Sequence, residues 1–244
     1  MITSIPHNYF FKADEPKDCS LGNILFVIAG VIGVAQKNGY VFGFEPWVNQ
    51  EYFVNPLPVV DKRGLKKFDL PKTYQGYDIG FTGFNVPDDS IINGYFGSEK
   101  YWKHCEGLVR YYLTMKDLCK PIKDTVLIHF RNNGLEAWNR LDNTYYNEAL
   151  KHFPDKKVVV VTHNIQSAKE YLKLDCEYIS NTPIIDFYLL SHADYMIMGN
   201  SSFSWMGAYL SGAKTVAPKV WYNPKGSFYD CPTEDNYCDN WIKV

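Results

Sequence analysis

The stretch Tyr195-Met196-Ile197-Met198-Gly199-Asn200-Ser201-Ser202-Phe203-Ser204-Trp205-Met206-Gly207-Ala208-Tyr209-Leu210 decides the fold. Its first four residues are an apolar run of strand length. Phe203, Met206, Ala208, Tyr209 and Leu210 open a helix. A strand that breaks into Gly-Asn-Ser-Ser and restarts as a helix leaves backbone N–H groups and two hydroxyls at a helix N-terminus, a setting suited to a phosphate. Plain capping by Ser201 or Ser202 needs the same residues. The neighbouring elements must therefore separate the two readings.

Working backwards, Thr182-Pro183 opens a helix to about Ser191, with proline at the first helical position. Lys157 to Thr162 contains four consecutive valines and reads as a buried strand, followed by a helix from Ile165 to Lys173. Thr125 to Phe130 is another apolar strand, and Asn143 reads as the cap of a helix to His152. Lys214 to Ala217 is a last strand. Near-continuous apolar strands between helices predict a parallel sheet covered on both faces.

The N-terminal half is less regular. Tyr9-Phe10-Phe11 reads as a short strand, Asp18 to Asn23 as a loop, and Ile24 to Lys37 as an apolar helix stopped by Asn38-Gly39. Tyr40 to Phe44 reads as a second strand. Glu45 to Phe96 is rich in proline, glycine and aromatics, with strand candidates at Asp78–Phe84 and Ser90–Tyr95. Ser98 reads as the cap of a long helix from Glu99 to Met115. The whole predicts an α/β layer fold in two halves, with a mainly parallel sheet in the second.

Composition narrows the partner. The 244 residues carry a net charge of −2 with 46% hydrophobic content, so no basic footprint for nucleic acid is present. The run Ile24–Ala35 is short for a bilayer span and is interrupted by Gly30 and Gly33, which favours a buried helix. Met1 to Glu15 lacks the pattern of a signal peptide. The six cysteines form no C-x-x-C pair and read as reduced thiols of a cytoplasmic protein, with Cys231 and Cys238 near enough in sequence to pair. A small molecule or glycan is the expected partner.

In parallel sheets ligands bind beyond the carboxyl ends of strands, and three such ends here carry polar residues. His129 and Arg131 flank Phe130, and the guanidinium is a planar fork suited to a diphosphate. Thr162-His163-Asn164 ends the valine strand. Asn200-Ser201-Ser202 follows the strand at 195–198. Each alone has a structural explanation; three neighbouring ends together point to a phosphate-bearing ligand.

Gly199–Leu210, with Ile185–Leu190 before it and Val216–Trp221 after it, resembles the C-terminal motif of the α-1,2-fucosyltransferases, glycosyltransferase family 11, which commonly read N-S-S-F-S-W-W-G-A-W-L. Leu21-Gly22-Asn23 resembles that family's G-x-G-N-Q loop, and Gly94–Tyr101 its G-Y-x-Q-S-E-K-Y stretch. His129-Phe130-Arg131 is similar to the start of H-x-R-R-G-D. The resemblance runs from about residue 18 to 222. It implies an α/β, GT-B-like architecture of two Rossmann-like lobes with mainly parallel sheets, a trimmed N-terminal acceptor-side lobe over 1–120 and a C-terminal nucleotide-sugar-binding lobe over 121–244. It also implies an inverting, metal-independent transfer with no cofactor, from a nucleotide-sugar donor to a glycan hydroxyl. It assigns Gly22, Asn23, His129, Arg131, Thr162, His163, Asn164, Asn200, Ser201, Ser202 and Phe203 to the donor, with Arg131 also stabilising the leaving diphosphate. By similarity of layout the segment 45–96 receives the acceptor.

The chain departs from the family at defined points. Asn132, Asn133 and Gly134 stand where the second arginine and the aspartate would be. The first loop lacks the leading glycine and the glutamine. Thr162-His163-Asn164 offers no acidic group to read guanine, which leaves GDP-fucose and a UDP-sugar such as UDP-xylose both open as donors. Glu136, in Gly134-Leu135-Glu136-Ala137, resembles the base of related α-1,6-fucosyltransferases and is the candidate catalytic base; His129 and Asp142 come next. A binding module that has lost catalysis is the alternative from another class.

Overall fold

The computed structural model describes residues 1–4, 21–61, 63–71, 80–131, 141–223, 225–226, 231 and 233–244. The strand expected at Tyr9–Phe11 and the base candidate Glu136 lie outside them. Two compact units divide the chain: Met1–Lys116 with Glu234–Tyr237, and Asp117–Thr233 with Cys238–Val244.

The first unit is built on β1 (Ile2–Ser4), α1 (Leu21–Asn38), β2 (Lys66–Asp69), β3 (Ser90–Asn93) and α2 (Glu106–Tyr112). Its sheet has the order β1-β3-β2 and is wholly parallel. α1 is apolar on all sides because it is enclosed on all sides: its buried residues run from Leu21 to Ala35 with Asn23 the one exception. By length and composition it could cross a membrane, yet most of it is buried inside this unit. A Cβ on Gly30 would stand 2.1 Å from Phe96 Cγ, and one on Gly33 2.2 Å from the Tyr101 carbonyl oxygen. These two glycines let the 96–102 segment lie directly on the helix. α1 ends where Gly39 takes φ +69° and Tyr40 N–H donates to Ala35 O at 2.9 Å, the Schellman arrangement.

Two expectations for this unit are corrected. Tyr40–Phe44 is no strand: Phe42 bridges to Ile2 and Phe44 to Val59, so successive residues pair with different partners and no ladder extends. The helix expected over Glu99–Met115 is broken. Ser98 does cap the segment, accepting from Lys100 N–H at 3.3 Å, but two 3-10 turns follow and only α2 is α-helical. Trp102 sits at the break with φ −131° and ψ 3°, fully buried and edge-on to Phe26 of α1 at 5.7 Å. Burying that indole overrides local helix propensity.

The second unit contains β4 (Thr125–His129), α3 (Asn143–Leu150), β5 (Lys157–Val161), α4 (Ile165–Leu172), β6 (Glu177–Ile179), α5 (Pro183–Ser191), β7 (Tyr195–Ile197), α6 (Ser202–Ser211), β8 (Lys214–Ala217) and β9 (Ile242–Lys243). All six strands are parallel, in the order β6-β5-β4-β7-β8-β9. Val126, Leu127, Ile128, Val160 and Ile197 are fully enclosed, which accounts for their unalternating apolar run. Tyr146 and Ala149 of α3 and Ala168 and Leu172 of α4 pack on Val126, Ile128 and Val160. Asp142, rather than Asn143, caps α3 by accepting from Tyr145 N–H at 3.2 Å. The Asn143 amide instead donates to Tyr171 O at 2.9 Å. No disulfide occurs among the described residues, and Cys231 and Cys238 are buried thiols.

Candidate functional site

The strand order of the second unit, counted within it, is 3-2-1-4-5-6. The chain runs outward from β4 through β5 to β6, then returns to add β7, β8 and β9 on the other side. Such reversals open a crevice beyond the carboxyl ends of the two central strands, the usual ligand position in open α/β sheets. Here the central pair is β4 and β7. The chain leaves them through His129-Phe130-Arg131 and Met198-Gly199-Asn200, with Thr162-His163-Asn164 beside them at the end of β5.

Hydrogen bonds hold these exits in register. Phe130 N–H donates to Val161 O at 2.9 Å, and Met198 N–H to Val216 O at 3.0 Å, so both continue the sheet beyond its formal ends. Tyr145 of α3 reaches under the site; its buried hydroxyl lies 2.6 Å from Met198 O and 3.2 Å from Val216 O. Gly199 O accepts from Ser201 N–H at 2.8 Å and from the Ser204 hydroxyl at 2.9 Å. The Asn200 amide donates to Trp221 O at 3.0 Å, tying the loop to the exit of β8. Ser201 caps α6, its hydroxyl accepting from Phe203 N–H at 3.2 Å.

His129 is the unusual member. It is buried, and its Nδ1 has no hydrogen-bond partner among the described residues. Its ring lies 5.3 Å from the Phe203 ring at 32°, and Phe203 meets Phe187 edge-on at 5.2 Å. Burial first, then the positive charges of Arg131 and His163, push its pKa down to about 3. The imidazole is therefore neutral at physiological pH. His129 thus lies beside the N-terminus of α6 through its contact with Phe203, with Arg131 two residues on at the exit of β4 and His163 at the exit of the neighbouring β5.

The expected site residues divide into groups. His129, Arg131, Thr162, His163, Ser201, Ser202 and Phe203 stand at the exits of β4, β5 and β7. Thr162 is buried and its hydroxyl accepts from Asn164 N–H at 3.3 Å, while His163 is exposed. Asn164 is the cap of α4, accepting from Ser167 N–H at 2.9 Å. The amide of Asn200 and the cap of Ser201 are likewise engaged in holding the backbone. Gly22, buried, and Asn23, half-buried, belong to the first turn of α1 in the other unit. Sequence reasoning missed Tyr145 and the Asp186 carboxyl, which accepts from both the backbone and the amide of Asn181. Burial raises the pKa of Asp186. Tyr145 reaches carbonyls 53 and 71 residues on, so no local pattern announces it, whereas the Asp186 contact is a local one with Asn181.

A doubly wound parallel sheet whose switch point carries His129, Arg131 and the N-terminus of α6 defines the class: a Rossmann-like domain. Residues 132–244 match the family model of glycosyl transferase family 11. The match begins immediately past Arg131. The chain is also 27% identical over 183 residues to the alpha-1,2-colitosyltransferase of Escherichia coli, covering 62% of this chain and 61% of that protein. The chain thus spans about three fifths of that relative's length. Among solved structures it is similar to the alpha-1,6-fucosyltransferase NodZ soaked with GDP-fucose, with 13% identity and a TM-score of 0.48 over 78% of this chain and 88% of that one. Over residues 132–244 this chain is therefore similar to glycosyl transferase family 11.

Proposed function

We propose that this protein is an inverting, metal-independent glycosyltransferase that moves a 6-deoxy-type sugar such as fucose from a nucleotide-sugar donor to a glycan hydroxyl. In this reading the second unit holds the donor and the first serves the acceptor. The observation that carries it is that His129 and Arg131 at the exit of β4, His163 at the exit of β5 and the N-terminus of α6 share the carboxyl-end edge of the sheet at the β4–β7 switch point. A leaving nucleoside diphosphate develops negative charge there, and preorganised donors lower the barrier most where charge appears. Arg131 offers a bidentate fork. The backbone N–H groups at the start of α6 add partial positive charge.

Glu136 takes the proton of the acceptor hydroxyl as its oxygen attacks the anomeric carbon. The bond from that carbon to the diphosphate oxygen breaks with its electron pair passing to the diphosphate. Neither step calls for a metal, because Arg131 and the α6 N-terminus supply the countercharge. The match of residues 132–244 to glycosyl transferase family 11 and the likeness to a colitosyltransferase support sugar transfer, and by its name that relative uses a colitosyl group.

One observation favours a second donor. The β5 exit carries Thr162, His163 and Asn164, with no carboxylate to pair with the N–H edge of guanine. A UDP-sugar is therefore the competing donor for the same site. The deciding experiment is a nucleotide-release assay with GDP-fucose and UDP-xylose over a panel of oligosaccharides, in chelator, with Glu136→Gln as control. GDP or UDP release that depends on acceptor and falls in the variant supports the reading. Binding with no release from either donor on any acceptor supports the module without catalysis.

A further inference from the structure

A cleft of about 320 Å³ opens in the first unit. Its walls are the last turn of α1, the segment 81–84 and the segment 100–104. Ile2 N–H donates to Val41 O at 2.7 Å and Tyr40 Oη to Val86 O at 3.2 Å, so α1 ends beside the amino ends of β1 and β3. The cleft thus lies at the edge opposite the carboxyl ends where a parallel sheet ordinarily binds its ligand.

The lining combines two chemistries. Phe81 and Phe84 are only half-buried and gather round Tyr101, at 4.9 Å and 6.2 Å between ring centroids. Partly exposed rings of this kind stack on the apolar face of a sugar. Lys37, exposed at the end of α1, adds a cation, and no acidic side chain lines the cleft among the described residues. The aromatic wall is held by design of the chain ends: Gly80 turns with φ +73°, Phe81 N–H donates to Asp235 Oδ2 at 3.1 Å, and the other carboxylate oxygen pairs with Lys100. Asp235 belongs to the 234–237 segment that returns to this unit. Its charge is compensated by Lys100, which leaves Lys37 to face a ligand.

We propose that this cleft is a second saccharide-binding site, selective for a pyranose that bears an anionic substituent. The ring lies against Phe81 and Phe84, and the anion pairs with Lys37. A volume of about 320 Å³ accommodates one such residue with its water. The proposal is independent of the nucleotide reading, since every residue it uses belongs to the first unit.

The test is an NMR titration of the full chain with sodium glucuronate and, separately, methyl glucoside, both in excess GDP and UDP so that the strand-end site is occupied. Saturable glucuronate binding is expected, with methyl glucoside weaker. Lys37→Ala should weaken glucuronate about threefold, the scale of one exposed ion pair, and leave methyl glucoside unchanged. Phe84→Ala should weaken both sugars about fivefold, the scale of one aromatic contact. Arg131→Ala should change neither, which separates this site from the nucleotide site. Absence of saturable glucuronate binding, or binding indifferent to both Lys37→Ala and Phe84→Ala, overturns the proposal. Lys37 is exposed, so its variant folds and remains a fair test where Phe84→Ala disturbs the contact with Phe68.

Discussion

A Cβ placed on Gly199 would stand 2.9 Å from the carbonyl oxygen of His129 and 3.8 Å from its ring Nδ1. The two central strands therefore leave the sheet closer together than any side chain at position 199 allows. Gly199→Ala must push the exits apart. A destabilisation of about 1–3 kcal/mol is expected, the range for overpacking, together with weaker nucleotide binding. Thermal unfolding and titration of the same variant check both; an alanine variant of unchanged stability would show that the exits can move freely.

His129 gives a pH signature. Its folded pKa of about 3 lies below the ordinary value of 6.5, so the unfolded chain takes up a proton that the folded chain refuses. Stability from this residue is complete above pH 6.5 and is lost as pH falls towards 3. The loss approaches about 1.4 kcal/mol per pH unit at its steepest. Denaturant unfolding between those pH values should show a shallower acid loss for His129→Asn than for wild type. Parallel curves would mean that the imidazole is protonated in the folded protein.

Tyr145 supports the site from below. Tyr145→Phe removes the donor at 2.6 Å from the buried Met198 O, while Val216 O keeps the Met198 N–H. About 1–3 kcal/mol of stability is expected to go. Nucleotide affinity should fall with it, because Met198 leads directly into the Gly199 loop. Lost stability with full affinity would confine Tyr145 to packing.

In the first unit, Gly33→Ala sets a methyl 2.2 Å from Tyr101 O and 2.7 Å from Trp102 Cα, both backbone atoms. Neither can turn aside as a side chain would. The variant should lose at least about 3 kcal/mol, the upper end for overpacking, visible as a lowered unfolding midpoint. A midpoint equal to wild type would show that the 96–102 segment is not held on α1.

The sheet of the second unit was legible because burial on both faces imposes unbroken apolar runs, as at Val158–Val161 and Val126–Ile128. Short edge strands such as Glu177–Ile179 and Ile242–Lys243 escaped, since two or three half-covered residues carry no period. Ser98 and Ser201 were correctly read as caps, whereas Asp142 displaced Asn143 by one residue because either side chain can cap. The Glu99–Met115 helix was misread because its local propensity is real, and the burial of Trp102 against α1 defeats it. For the site, strand-end polarity placed His129, Arg131 and Ser201 at one sheet edge. The strand order that makes this edge a switch point, and the orphaned Nδ1 of His129, depend on contacts between residues about 70 apart in sequence, Met198 following His129 by 69 positions, and no local pattern encodes them.

The central claim is that the β4–β7 exits hold a nucleoside diphosphate through Arg131. Calorimetric titration of wild type and Arg131→Ala with GDP and with UDP, in chelator, tests it directly. The account predicts that one nucleotide binds wild type and that Arg131→Ala weakens it by about tenfold or more, as expected for loss of a charge-assisted bidentate contact. Equal affinity of the two proteins for that nucleotide, or no binding of either nucleotide to wild type, would contradict it.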